Sequence, residues 1–207
     1  MNNRLLLLCL ALLAGLAATA HATSHAFIWD STNGFRDLGS LGLDSVAKAI
    51  NDSGTVTGYY IPVDKFYQHG FVWTEATGMV AIGIPGGGDS TTANSNPTAI
   101  NAAGHIAGYG RQVDGMQVAF FWTATDGFTT LGTYSSGAEN LNTAYGMNDL
   151  DQVTGNLRFT RKGAYHAYLW SPDLLSPRDL GTVKGGSTSS GFGINNAGRI
   201  VGFSQDG

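Results

Sequence analysis

His25-Ala-Phe-Ile-Trp29, Asp37-Leu-Gly-Ser-Leu-Gly42 and Ala49-Ile-Asn-Asp-Ser-Gly54 are three short segments whose pattern returns, in the same order, three more times along these 207 residues. The later openings are His69-Gly-Phe-Val-Trp73, Ala119-Phe-Phe-Trp122 and His166-Ala-Tyr-Leu-Trp170, so all four tryptophans fall in one slot at steps of 44, 49 and 48 residues. A period of that size is the mark of a repeat architecture, in which each unit buries its apolar face only against its neighbours. The copies read as 25–68, 69–118, 119–165 and 166–207.

Superposing the copies predicts four short strands in each. The first carries the aromatic-x-Trp pattern with apolar groups on both faces, as in a sheet sandwiched between layers. The second ends in Leu-Gly or Ile-Gly at Gly39, Gly83, Gly132 and Gly181. The third ends at Asn51, Asn101, Asn148 or Asn195, and the fourth runs into Gly58, Gly108, Gly155 or Gly202. Asn-x-x-Gly between them predicts a tight turn, with the glycine left-handed and the Asn side chain folded onto the backbone. The third copy places Asp151 where the glycine belongs, a residue that tolerates that conformation better than most. The interval from Asn to the final glycine is seven in every copy, whereas the loop before it varies.

Composition agrees. Charged residues make up 13% of the chain and glycine contributes 30 residues, against a usual charged fraction of about 25%. No stretch of a dozen residues after Thr23 has apolar groups at helical spacing, while β-branched and aromatic runs bounded by Gly, Asn, Asp and Ser recur. The fold class predicted is all-β: one domain over 23–207, built as a β-propeller-like set of four blades of about four strands in a closed or incomplete ring. An open stack of repeats is the competing arrangement.

Residues 1–22 read as a signal peptide: Arg4, an apolar run from Leu5 to Ala18, and small-x-small sites that put cleavage near Ala20 or Ala22. The run is too short for a membrane span. Cys9 is the only cysteine and lies inside this leader, so the mature chain has no disulfide. Export to the periplasm or the exterior is the destination these features predict. The net charge of −4 argues against nucleic acid and anionic membrane surfaces as partners.

The three segments quoted at the outset resemble the HAF-type extracellular repeat family of bacterial secreted proteins, and the likeness extends over residues 25–207. Gly70 for Ala, Ala119 for the leading His and Tyr168 for Phe are departures. The resemblance implies export and a repeat-built β architecture, and brings no activity with it.

The framework residues are read as structural. Phe27/Trp29, Phe71/Trp73, Phe121/Trp122 and Tyr168/Trp170 are expected to make the contacts between blades, each ring burying about 150–250 Å². His25, His69 and His166 share a slot that a metal would suit if four copies faced one axis. Ala119 breaks that set, so a hydrogen bond to a nearby carbonyl is the reading preferred, with no metal and no cofactor. Arg36-Asp37 and Arg178-Asp179, in copies one and four, would bring two carboxylates across a blade boundary if the ring closes; a solvated or cross-blade ion pair is the reading preferred.

What differs between copies is the connection after the fourth strand. These connections mix aromatics, amides and charges, the composition of a polar contact surface. Tyr59, Tyr60, Lys65, Tyr67, Tyr109, Arg111, Arg158 and Arg161 are the candidate ligand-binding residues, expected on one rim. The function this favours is a secreted binding or surface-interaction module for a glycan, envelope component or protein partner. The alternative is a hydrolase or lyase acting on an extracellular polymer, with dispersed carboxylates such as Asp37, Asp64 and Asp179. No nucleophile elbow, zinc spacing or dinucleotide fingerprint supports an enzyme.

Overall fold

A computed structural model describes residues 23–64, 66–88, 92–132, 141–160 and 163–207. The leader with Cys9 lies outside the described residues, as do Lys65 and Arg161. The strands are β1 (Phe27–Asp30), β2 (Gly34–Asp37), β3 (Ser45–Ile50), β4 (Val56–Tyr60), β5 (His69–Thr74), β6 (Gly78–Gly83), β7 (Asn94–Ile100) and β8 (Ile106–Arg111). They continue as β9 (Gln117–Thr123), β10 (Gly127–Leu131), β11 (Thr143–Met147), β12 (Val153–Arg158), β13 (Tyr165–Trp170), β14 (Arg178–Asp179), β15 (Ser189–Ile194) and β16 (Ile200–Ser204). No α-helix occurs among the described residues.

The strands form three four-stranded antiparallel sheets, β3-β4-β5-β6, β7-β8-β9-β10 and β11-β12-β13-β14, and two pairs, β1-β2 and β15-β16. Each full sheet therefore takes two strands from one copy and two from the next. The unit of sequence repetition is not the unit of hydrogen bonding. β16 pairs only with β15 and β1 only with β2. The first strands of successive sheets, β3, β7, β11 and β15, lie beside one another.

A serine at or just before the third strand holds each copy together across two sheets. Ser45 Oγ accepts from Ala26 N at 2.9 Å and donates to Gly39 O at 2.5 Å. Ser95 does the same for Gly70 and Gly83, and Ser189 for Ala167 and Gly181. In the third copy Asn142 Nδ2 reaches Gly132 O instead, at 3.3 Å.

The turns form as the sequence predicts. Gly54, Gly104 and Gly198 are left-handed, at φ 79°, 80° and 71°, and Asp151 adopts the same conformation at φ 58°. Each Asn Oδ1 accepts the amide four residues on, from Thr55, His105, Gln152 and Arg199. The amide end of the same side chain does something periodicity did not reveal. Asn51 Nδ2 donates to Asn101 O at 2.9 Å, Asn101 to Asn148 O at 3.3 Å, and Asn148 to Asn195 O at 2.8 Å. An asparagine ladder thus runs through all four copies and fastens adjacent sheets.

Between third and fourth strands every sheet carries a bulge, at Lys48, Thr98, Tyr145 and Phe192. The bulge drives the preceding strand's carbonyl against the fourth-strand glycine. A Cβ at Gly58, Gly155 or Gly202 would collide with the backbone oxygen of Val46, Thr143 or Ser190. That glycine is required by close approach rather than by a turn.

The core lies between sheets. Phe71 and Trp73 pack on Ala26, Ile28 and Leu38; Phe120 and Trp122 pack on Val72 and Ile82; Tyr168 and Trp170 pack on Ala119, Phe121 and Leu131. So the aromatic-x-Trp face of one sheet meets the intervening residue of the sheet before it. Two expectations change. In the third copy Gly108 lies opposite Phe120, as Gly58 lies opposite Phe71, so Phe120 pairs with Trp122 and Phe121 is the intervening residue. Val118, not Ala119, holds the histidine slot. Phe27 and Trp29 are not buried, at 54% and 58% exposed, because no sheet covers the outward face of the β1-β2 pair.

Candidate functional site

The fourth strands run two to three residues beyond the glycine at which the sequence reading ended them. Tyr59, Tyr60, Tyr109, Arg111 and Arg158 consequently belong to strands, and alternation sends them to different faces. Tyr60 is a correction: it is 8% exposed, packs in the core with Phe71 and Trp73, and meets the His69 ring edge-on at 5.9 Å. Tyr67 is exposed in the connection before β5 and Arg111 at the end of β8. Arg158 lines a different cleft from Tyr59 and Tyr109. The described candidates therefore do not line one cleft.

Tyr59 and Tyr109 do converge. With Lys48, Thr98 and Tyr145 they line a cleft of about 440 Å³ where the first strands of three sheets meet, a volume inside the usual range for ligand sites. Lys48, Thr98 and Tyr145 are the bulge residues of successive sheets, and the fourth, Phe192, meets the Tyr145 ring edge-on at 5.4 Å. A bulge re-aims the side chain it carries; that of Thr98 also donates to Ala107 O at 3.1 Å and, across to the next sheet, to Ala144 O at 2.9 Å. Lys48 Nζ stands 5.4 Å from the centre of the Tyr59 ring. Burial, then the Tyr145 and Tyr59 phenols, raise the Tyr109 pKa above its ordinary value. Gln68, Asn94, Asn96 and Pro97 complete the lining, and no carboxylate among the described residues contributes to it. Asn94 is held in place, its Oδ1 accepting Arg111 N at 2.8 Å. One cation, three phenols and three amides can bind hydroxyls and a negative charge; they offer no acid–base pair.

The sequence carried a signal for this cleft. The bulge residue sits in a small-x-small frame before Ile/Met-Asn: Ala-Lys48-Ala, Pro-Thr98-Ala, Ala-Tyr145-Gly and Gly-Phe192-Gly. It is a free position inside a constrained one.

The dispersed carboxylates stay dispersed. Asp37 Oδ2 lies 2.8 Å from His25 Nδ1, and Asp179 lies 3.0 Å from His166 Nδ1. The histidine slot and the Arg-Asp slot are one feature, present together in copies one and four; neither histidine uses the expected carbonyl. Arg36 turns from Asp37 to Glu75 and stacks 4.9 Å over Trp73. The His25 hydrogen bond, then the Gly39 amide, lower the Asp37 pKa. Asp64 is exposed in the turn after β4. Asp126 and Asp151 line one cleft of about 370 Å³ with His105. Each carboxylate there has structural partners: Asp126 bonds Thr123, and Asp151 bonds Asn101 and His105 at 2.7 Å. No group of three His, Cys, Asp or Glu placed to hold a metal occurs among the described residues. Nor is any helix among them long and apolar enough to cross a membrane.

No protein-family model matches the chain, and neither does any curated protein sequence.

Proposed function

We propose that this protein is an extracytoplasmic binding module that takes a polar, hydroxyl-rich ligand such as an envelope glycan in the cleft of Lys48, Tyr59, Tyr109 and Tyr145. One observation carries the proposal: side chains from three different copies, at positions that differ between copies, converge on one cleft that is rich in phenols and amides and to which no carboxylate among the described residues contributes. Aromatic faces with a few oriented amides suit a sugar ring better than a reacting bond. Kinship with the HAF-type extracellular repeats and the leader at residues 1–22 belong to the same proposal. So does a propeller-like arrangement of the sheets, supported by the shared edge of first strands and by the match between the two unfinished pairs: β15-β16 has the strands that β1-β2 lacks.

The test is calorimetric titration of the chain with a panel of envelope oligosaccharides, with turnover followed in parallel. Binding that Tyr109→Ala and Lys48→Met each weaken about tenfold or more, without product formation, supports the module. Hydrolysis that Asp126→Asn or Asp151→Asn abolishes overturns it in favour of the enzyme reading, since those are the two carboxylates that share a cleft.

A further inference from the structure

We infer a second and separate binding site, for the carboxylate of an acidic saccharide, at Arg158. A cleft of about 430 Å³ opens between the β10 edge and the sheet that contains β12 and β13, lined among others by Thr130, Asn142, Arg158, Phe159 and Pro177. Arg158 is its only charged lining residue among the described residues. The guanidinium stacks 4.8 Å over the Tyr165 ring. Tyr165 is itself fixed, its hydroxyl accepting Leu141 N at 2.8 Å. The Arg158 backbone is fixed too, its amide donating to Asn142 Oδ1 at 3.2 Å and its strand paired with Tyr165.

What this ordered arginine lacks, among the described residues, is an anion. Arg158 has no carboxylate within ion-pair distance among the described residues, and its Nε is buried with no hydrogen-bond partner. A buried donor left unmade is rare in folded proteins and calls for an explanation. A carboxylate supplies two parallel acceptors, which is the geometry a guanidinium fork recognises. The stacking on Tyr165 pre-pays the ordering of the side chain. Beyond the arginine the cleft offers Phe159 and Pro177 as apolar faces and Thr130, Asn142 and Ser176 as hydroxyl and amide groups. That mixture fits the carbon face and the hydroxyl rim of a uronic acid ring. An acidic peptide would seek a row of backbone partners that a compact cleft does not present.

The experiment is titration of the chain with trigalacturonic acid, with its methyl ester and with a tri-glutamate peptide. The acid is expected to bind, more weakly as salt rises, with the ester about tenfold weaker or worse, the size of a lost charged hydrogen bond. Arg158→Gln should lose as much as the ester does, and Arg158→Lys part of it. Ser176→Glu, an exposed lip position whose change leaves the fold alone, should abolish binding by repulsion. Lys48→Met should leave it unchanged, which separates this site from the first cleft. No binding of the acid, equal binding of acid and ester, indifference to Arg158→Gln, or tighter binding of the peptide would each overturn the assignment.

Discussion

Trp29 and Trp73 occupy the same slot in consecutive copies, yet the first is 58% exposed and the second 7%. Truncating each to alanine separates what the motif specifies from what packing supplies. Trp73 sits between β4, Phe71 and Met79 with the β1-β2 pair over it, so Trp73→Ala removes a filled volume and should cost roughly 3–5 kcal/mol. Trp29 has under half its surface covered, and at about 25 cal/mol/Å² its loss comes to roughly 1–2 kcal/mol. With a urea slope of about 2 kcal/mol/M for a domain of this size, the midpoints should fall by roughly 1.5–2.5 M and 0.5–1 M respectively. Far-UV circular dichroism is the appropriate signal, since each variant deletes a fluorophore. Slopes must be compared as well, because arrays lose cooperativity when one interface weakens. A Trp73→Ala midpoint within about 0.3 M of wild type would refute the packing argument. A Trp29→Ala loss equal to that of Trp73→Ala would refute the exposed face and show that Phe27 and Trp29 are covered in solution.

Asn101→Ala removes the middle rung of the ladder, where the 3%-exposed side chain serves His105 N, Asn148 O and Asp151 together; urea unfolding should show a loss of roughly 2–4 kcal/mol. Asn195→Ala, at the exposed end, should cost about 1 kcal/mol or less. Hydrogen bonds from Asn196 and Ala102 lower the Asp149 pKa, as His25 and Gly39 lower that of Asp37. Both carboxyls therefore take up protons more readily when unfolded, their contribution is complete above the ordinary value of 3.8, and it is lost as pH falls through the lower folded value. Melting temperature should accordingly drop below about pH 4, and more shallowly in Asp149→Asn. Closure of the ring predicts that β16 meets β1 in the register of β4 with β5, where Tyr60 faces His69; Ser204→Cys with His25→Cys should then form an intramolecular disulfide under mild oxidation, and dimers or free thiols would count against closure.

The turns, the all-β class and the strand order within a copy were legible because each rests on local chemistry. Asn-x-x-Gly specifies its own geometry, and Asp151 substitutes for glycine for a reason visible at one residue. Three things were not legible. The sheet boundary is non-local, so nothing in His69–Trp73 says that it hydrogen-bonds to Val56–Tyr60 of the preceding copy. The length of β4 was cut at Gly58, because glycine in a sequence reads as a stop; the bulge at Lys48 shows it to be a crossing point. That error put Tyr60 on the surface. The third-copy aromatic was ambiguous because Phe120 and Phe121 are adjacent, and only the partner glycine, Gly108, decides between them.

Both clefts follow from how the copies are fastened. The serine clamp, the asparagine ladder and the aromatic-x-Trp interface use backbone atoms or framework side chains, so they join successive sheets without the residue one step past the fourth-strand glycine and, Thr98 apart, without the bulge residue; Thr98 Oγ1 donates to Ala144 O of the next sheet at 2.9 Å. Those positions differ from copy to copy: Lys, Thr, Tyr and Phe at the bulge, Tyr, Tyr, Asn and Phe one step after the glycine. Yet the same fastening brings them together, because strands that lie side by side align their bulges. A surface assembled this way changes one side chain at a time while the array stays intact. Arg158 marks the boundary of that freedom. Its backbone is committed to Asn142, the third copy's substitute for the clamping serine, and its side chain lines a cleft with no ion-pair partner among the described residues. The copy that departs from the clamp is therefore also the copy that orients, over the Tyr165 ring, a guanidinium with no carboxylate partner among the described residues.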